Sequence, residues 1–500
     1  MRKIHSLTSL SAAVLSLVTL ASCGSTSDKT VVTFWGTFSS TQSSWVAIVN
    51  AFETAYPNIE INYVQQGGYP DVYSAVTKAI PAGNTPTMAY AYPDHVASYL
   101  YQNKAVVDMT PYMNSTEDGF GVNDPEITVV DETGASQKIQ LNSAADDMVS
   151  TYIKEGQGYL DSNGEAIEGT YSLPWSRSTE VLFYDKTLFD SLGLTAADIS
   201  TWEGVWNVTE KIMADTDFTS QEANDDGQKP AALAWDSDDN MFITLCEQLG
   251  IPYTDGSQLA ETNGNPLLFG DDTSKPEVAK LLKFLKEKYD SNELITKTTN
   301  ASGGTTYNDT YFQEGTLAMD ISSTAGASYF TSSKIASGHE VGVVPLPTSA
   351  GYWIDGDGAL PSTAKSNAAI SQGPSVTFFK GASDAQLSAA WDFYKFATSD
   401  YFSSVWSGSS GYVPVRESSY SLSPMTDVDS LISDVYDVTK SYGDDDNLFS
   451  SDVFVGSADA RDAVSSLTSS VLNYTGDDID DYISDQIDVA MNTAAEGLPA

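Results

Sequence analysis

Residues 31–91 read VVTFWGTFSSTQSSWVAIVNAFETAYPNIEINYVQQGGYPDVYSAVTKAIPAGNTPTMAYA, and their periodicity decides the fold class. Residues 31–35 form a β-branched and aromatic run of strand length. Trp45, Ile48, Val49, Phe52 and Tyr56 then recur at helical spacing, and Pro57 stops that helix. Ile59, Ile61 and Tyr63 alternate as a second strand. Residues 71–80 read as a second helix closed by the turn-rich Pro81-Ala82-Gly83-Asn84-Thr85-Pro86, and residues 87–91 as a third strand. Strand-helix-strand-helix-strand predicts a parallel α/β sheet whose ligand edge lies beyond the carboxyl ends of its strands. The loops at 35–40, 65–70 and 92–95 are therefore expected to face one cleft.

Upstream, Arg2 and Lys3 precede an apolar run over residues 10–20. About eleven helical residues reach ~16 Å, half of a ~30 Å hydrocarbon core. That is a signal-peptide core rather than a membrane span. It ends in Leu20-Ala21-Ser22-Cys23 before Gly24, which resembles the lipobox of bacterial lipoproteins. The resemblance implies a signal peptide over 1–22, lipidation of the Cys23 thiol, and a polar tether over 23–30.

Downstream no other apolar run is long enough to span a membrane, and a chain of 500 residues is expected to fold as two lobes. Cys246 is the only other cysteine; with Cys23 acylated no internal disulfide forms, and core packing alone must hold the fold. The formal charge of −44 argues against nucleic acid and anionic headgroups as partners, since both are bound by clustered Lys and Arg. Residues 114–157 are polar and irregular, as in an insertion, and 159–173 read as a hairpin. Helices are expected at 202–214, 241–249 and 276–290. Residues 312–321 read as helix end, turn and strand, 441–447 as a loop, and 458–491 as a mainly helical tail.

Several of these stretches together resemble one family, the large extracellular solute-binding proteins of carbohydrate ABC importers, which include maltose-binding and glycerol-3-phosphate-binding types. The resemblance rests on the opening strand and helix through Tyr56-Pro57, on Gly83-Asn84-Thr85-Pro86, and on residues 173–194 with Thr201-Trp202. It rests further on residues 312–319 and on Gly411-Tyr412-Val413-Pro414-Val415-Arg416. The tail Val455-Gly456-Ser457-Ala458-Asp459-Ala460-Arg461 points toward the glycerol-3-phosphate branch. Departures are the insertion at 114–157, the acidic stretch 221–240 and the Gly- and Asp-rich 351–371. The implied fold is α/β, a two-lobe periplasmic-binding-protein fold with hinge strands and an interlobe ligand cleft. Residues 31–174 plus 317–375 would form lobe 1, and 175–316 plus 376–500 lobe 2.

The same resemblance implies a set of ligand contacts. Tyr69, in Gly67-Gly68-Tyr69, matches an aromatic contact and Asp94 an acidic one. Ser176, Arg177 and Ser178 occupy the polar stretch beside the hinge. Ser323 and Thr324 follow the strand at 318–321, Gly373 precedes another strand, and Tyr412 lies in the Gly-Tyr-x-Pro turn. Phe454 stands two residues before Gly456, where the glycerol-3-phosphate branch carries an Arg; a ring face there suits a neutral sugar or polyol. Carboxylate, hydroxyl and phenol groups are the natural partners of such a ligand. Each also has a plain structural role open to it: Asp94 to cap the helix near His95, Arg177 to pair with a carboxylate, Phe454 to fill the core.

No P-loop, His-Glu-x-x-His or Gly-x-Ser-x-Gly pattern occurs. His95 and His339 have no metal-ligand spacing, and the acidic runs at 236–240 and 355–358 lack a full calcium-loop pattern, so neither metal nor cofactor is expected. The implied partners are a small carbohydrate or polyol, an inner-membrane ABC permease and the lipid anchor, with the protein monomeric on the outer face of the cell membrane or in the periplasm. Two rivals remain at this stage: a secreted lipoprotein glycoside hydrolase working through a carboxylate pair, and a solute-sensing lipoprotein that does not transport.

Overall fold

In a computed structural model the chain is described over residues 29–499, apart from 103, 131–133, 262–263, 337, 355–357, 427 and 445–446. The signal segment 1–22, Cys23, most of the tether and the acidic 355–357 lie outside the described residues.

The strands Thr30–Gly36, Ile59–Gln65 and Met88–Ala91 pair in parallel, Thr30 opposite Ile59 and Phe34 opposite Met88. Between the first two, the helix Ser43–Ala55 turns Trp45, Ile48 and Phe52 onto the sheet. The second helix, Tyr69–Ala82, starts two residues earlier than its periodicity suggests, because Pro70 suits a first helical turn. It ends at Gly83, whose φ of +68° closes the helix in the left-handed conformation. Two strands from distant sequence extend the sheet antiparallel: Ser375–Phe378 beside Met88–Ala91, then Leu173–Pro174. Trp391, Phe393 and Trp406, from helices Asp384–Ala397 and Asp400–Ser410, share the core with Phe34 and Trp45.

The second sheet repeats this plan. Its order is Val341–Val344, Glu180–Asp185, Leu317–Ser323, Ala231–Trp235, Leu294–Thr296. The last three are parallel, and Glu180–Asp185 runs antiparallel to both of its neighbours, Leu317–Ser323 and Val341–Val344. Helices Trp202–Ala214, Asp238–Leu249, Lys275–Asp290, Ser457–Leu472 and Ile479–Ala495 contribute to a second large core.

The lobe boundaries differ from those expected. Leu317–Ser323 does not return to lobe 1; it lies between Glu180–Asp185 and Ala231–Trp235, with residues 317–321 at most 1% exposed. Only the interior of the second sheet covers both faces of that strand. Conversely, 375–410 belongs with the first lobe rather than the second, since its strand and two helices pack on Phe34, Trp45 and Phe52. The insertion contains a hairpin, Glu126–Val130 against Ser136–Gln140. The hairpin expected at 159–173 shrinks to one bridge, Leu160 with Ala166. Most of the loop expected at 441–447 is the end of helix Ser430–Asp444.

The chain crosses between lobes three times, near 175–179, 371–374 and 411–422, and the crossings are bonded to one another. Arg177 N donates to Val413 O (2.9 Å) and Val413 N to Arg177 O (2.6 Å); Ser178 N donates to Gln372 O (2.9 Å) and Gln372 N to Ser178 O (2.8 Å). Gly373 sits at φ +110°, and a Cβ there would stand 2.6 Å from Ser176 O. A three-stranded hinge thus joins two lobes that share no sheet.

Candidate functional site: the interlobe cleft

A cavity of about 1010 Å³ lies between the lobes and against the hinge. Both walls are built at the carboxyl ends of parallel strands, where helix N-termini and loops leave polar groups free. From the first lobe come Tyr69 and Pro70, beyond Ile59–Gln65, and Tyr92, Pro93 and Asp94, beyond Met88–Ala91. The rings of Tyr69 and Tyr92 lie 4.5 Å apart, and the Tyr69 hydroxyl is 3.2 Å from that of Tyr412 on the third crossing. The loop at 35–40, expected here, is not among the lining residues. Phe38 instead stacks on Tyr63 at 4.3 Å and meets Trp406 edge-on, so its ring belongs to the core.

The second-lobe wall is acidic. Asp236, Asp238, Asp239 and Asn240 follow the strand Ala231–Trp235, Asp309 opens a short helix, and Ser322 and Ser323 end Leu317–Ser323. Asp236 accepts from Asn308 N (3.2 Å), Asn308 Nδ2 (2.9 Å) and Ser322 Oγ (2.7 Å). Burial nevertheless outweighs these donors and raises its pKa. Burial pushes Asp238 and Asp309 up to about 6. Beneath them Asp320 is fully buried, with neither carboxyl oxygen hydrogen-bonded. Burial first, then Asp236, Asp309 and Glu180, raise its pKa well above the usual carboxylate range. Tyr253, Tyr307 and Tyr329 add ring surface, and Lys297 Nζ lies 3.6 Å from the Tyr307 ring centroid.

Arginines at the cleft are already engaged. Arg177 is buried, pairs with Glu155 at 2.5 Å and donates to Gly373 O at 3.0 Å. Arg461 pairs with Asp94 at 3.3 Å and Asp239 at 2.8 Å.

Of the residues singled out in the sequence, Tyr69, Asp94, Arg177, Ser178, Ser323, Gly373 and Tyr412 line this cavity. Three do not. Ser176 is buried in the hinge, Thr324 is fully buried and bonds its Oγ1 to Thr179 N, and Phe454 is fully buried in the second core, not at the cavity. Arg177 reaches the cavity wall, yet its charge is spent on Glu155. The acidic run 236–240, which in the sequence showed only an incomplete calcium-loop pattern, is a cleft wall; its position after a parallel strand was the available signal. Tyr92 sits in the 92–95 loop expected at the cleft, Tyr307 and Tyr329 carried no local signal, and Arg461 of helix Ser457–Leu472 also lines the cleft.

The architecture agrees with comparisons across known proteins. Residues 47–431 match the family model of bacterial extracellular solute-binding proteins. The chain belongs to that family. No curated protein sequence matches it. Among solved structures, the GacH receptor of Streptomyces glaucescens, solved unliganded and with acarbose, superposes with TM-score 0.65 at 14% identity, covering 94% of this chain and 98% of that one. An ABC substrate-binding protein from Listeria monocytogenes in complex with cycloalternan gives 0.65 at 15%, covering 94% and 99%. UgpB from Mycobacterium tuberculosis, in complex with glycerophosphocholine, gives 0.64 at 15%, covering 92% and 98%. At such identity the likeness is one of fold. This solute-binding protein thus has the two-lobe periplasmic-binding-protein architecture, and among its described residues no helix is long and apolar enough to cross a membrane.

Proposed function

We propose that this solute-binding protein captures a neutral carbohydrate or polyol in the interlobe cleft and delivers it to the permease of an ABC importer by closing about its hinge. The observation that carries this reading is the composition of the cleft: tyrosine faces opposite acidic and hydroxyl groups, with both cleft arginines held by carboxylates. Carboxylates accept from sugar hydroxyls and rings cover the C–H faces, whereas tight binding of a phosphate ester usually takes an Arg fork or several converging backbone N–H groups. The structural neighbours named above include proteins solved with acarbose and cycloalternan, which supports the choice of a carbohydrate. Ligand contacts fall to Tyr69, Asp94, Ser178, Ser323, Gly373 and Tyr412, joined by Tyr92, Asp236 and Asp239. Neither metal nor cofactor takes part, and no chemistry is performed on the solute.

Closure needs only differential affinity. Reversing a mostly open population takes ~5 kcal/mol, which a handful of hydrogen bonds at ~1 kcal/mol each and ring contacts supply. The lipobox places an acyl anchor at Cys23, so the mature monomer starts there and stays at the outer face of the membrane. Mass spectrometry of the mature N-terminus tests the anchor; an unmodified terminus elsewhere overturns it. Titration of intrinsic tryptophan fluorescence with maltotriose, mannobiose, glycerol 3-phosphate and glycerophosphocholine tests the ligand. Micromolar binding of a neutral saccharide, weakened ~10-fold or more in Tyr69→Ala, is the expected result. Tight binding of the phosphate esters alone overturns the neutral reading.

A further inference from the structure

Among the described residues, Asp94–Arg461 is the one ion pair that joins the two lobes directly. Asp94 sits in the first turn of helix Pro93–Tyr101 in the first lobe, and Arg461 in helix Ser457–Leu472 in the second. The guanidinium is held from both sides. Nε faces Asp94 Oδ2 at 3.3 Å, while Nη1 donates to Asp239 Oδ2 at 2.8 Å and Asn240 Oδ1 at 2.9 Å within its own lobe. Among the described residues its Nη2 has no hydrogen-bond partner, and the side chain, 26% exposed, lines the cleft.

The charges around it make this arrangement consequential. Asp459 and Asp462 stand on the same helix, two residues before Arg461 and one after it, and Asp462 feels Asp94, Asp239 and Asp459 together. Four carboxylates from three helices therefore converge on a seam that contains one guanidinium. Burial would lower the Arg461 pKa, but Asp239 and Asp94 outweigh it and keep the group charged. Take the guanidinium away and Asp94 faces like charges across the seam. Take Asp94 and Asp239 away and the guanidinium loses both of its paired carboxylates, with Asp459 and Asp462 left nearby.

We propose that Arg461, shared between one carboxylate from each lobe, is the specificity-determining residue of the cleft and the bolt that ties closure to occupancy. Its paired edge holds the lobes together and cancels its charge, and its free Nη2 donates to an uncharged hydroxyl of the solute. An anion arriving at the same place meets a cation already neutralised and an acidic surround. The inference rests on the solute-binding reading of the cleft, but half of it is testable with no solute present.

Small-angle scattering of the ligand-free protein is the first measurement. Arg461→Gln and Asp94→Asn should each enlarge the radius of gyration, while Asp239→Asn, which leaves the interlobe pair intact, should not. Raising the salt concentration should enlarge the unaltered protein and leave Arg461→Gln unmoved, since only the former has a charge pair to screen. The second measurement is affinity for glycerol 3-phosphate in the double variant Asp94→Asn/Asp239→Asn. A gain of at least ~10-fold over the unaltered protein, lost again at high salt, is expected from a freed Arg–phosphate contact. Circular dichroism verifies that each variant is folded; Asp94→Asn and Asp239→Asn keep side-chain shape, so the test stands even if Arg461→Gln does not fold. Unchanged ligand-free dimensions in Asp94→Asn, or no gain in phosphate-ester affinity in the double variant, overturns the proposal. Failure of every saccharide to bind, with the scattering result intact, instead overturns the carbohydrate reading and leaves the bolt standing.

Discussion

A Cβ placed on Gly373 would stand 2.7 Å from the Cα of Arg177, so two of the three hinge strands touch at a distance that only glycine allows. Gly373 also holds φ +110°, a conformation that other residues reach only under strain. Strain of ~1–3 kcal/mol and an overpacking cost of similar size both apply to Gly373→Ala. Gly338 provides the comparison: its φ is +95° but nothing lies within 4 Å of its Cβ position. Thermal unfolding should therefore show Gly373→Ala losing clearly more stability than Gly338→Ala. Equal losses would mean that the hinge tolerates the added carbon.

Arg177 and Glu155 are 2% and 9% exposed at their side chains and 2.5 Å apart. Removing one member of such a pair leaves the other buried and uncompensated, which costs ~3–5 kcal/mol, whereas replacing both is often near neutral. Arg177→Met should thus lower the unfolding midpoint sharply, and Arg177→Met with Glu155→Leu should recover most of it. A single variant as stable as the parent would return Arg177 to the list of ligand contacts.

Phe454 packs in the second core against the Gly256 turn, fully buried. Phe454→Ala should cost ~3–5 kcal/mol through the cavity it leaves. Saccharide affinity, measured at a temperature where the variant is folded, should stay within about twofold. An affinity loss without a stability loss would put the ring back in the cleft.

Stability should rise as the pH falls from 7.5 toward 5. Burial raises Asp392 to about 7, with Asp118 adding to the effect, and raises Asp238, Asp309 and Asp462 to about 6. In the unfolded chain these groups titrate near 4. Between those values the native state binds more protons than the unfolded one, so raising the pH through the window removes stability. Calorimetric melting temperatures at intervals across pH 5–7.5 check the sign. Asp392→Asn should flatten the upper part of the curve, and a melting temperature that climbs with pH would contradict the burial of these carboxyls.

The periodicity of residues 31–91 determined the first lobe's parallel strands and helices, and the tails of those strands located Tyr69 and Asp94 at a cleft. Helices such as Trp202–Ala214 and Lys275–Asp290 were equally legible. All of these depend on side chains a few residues apart, whose pattern the chain displays directly. Which sheet accepts Leu317–Ser323, whether Phe454 meets solute or core, and that Asp94 finds Arg461 were decided by tertiary structure alone. A strand's pattern states how many of its faces are buried but not which neighbours bury them, and a charged side chain has no local signature for a partner hundreds of residues away. The hinge shows both limits at once. Arg177, Gln372 and Val413 look like three unrelated loop positions in the sequence, and only when two independent cores have formed are their backbones brought side by side to bond.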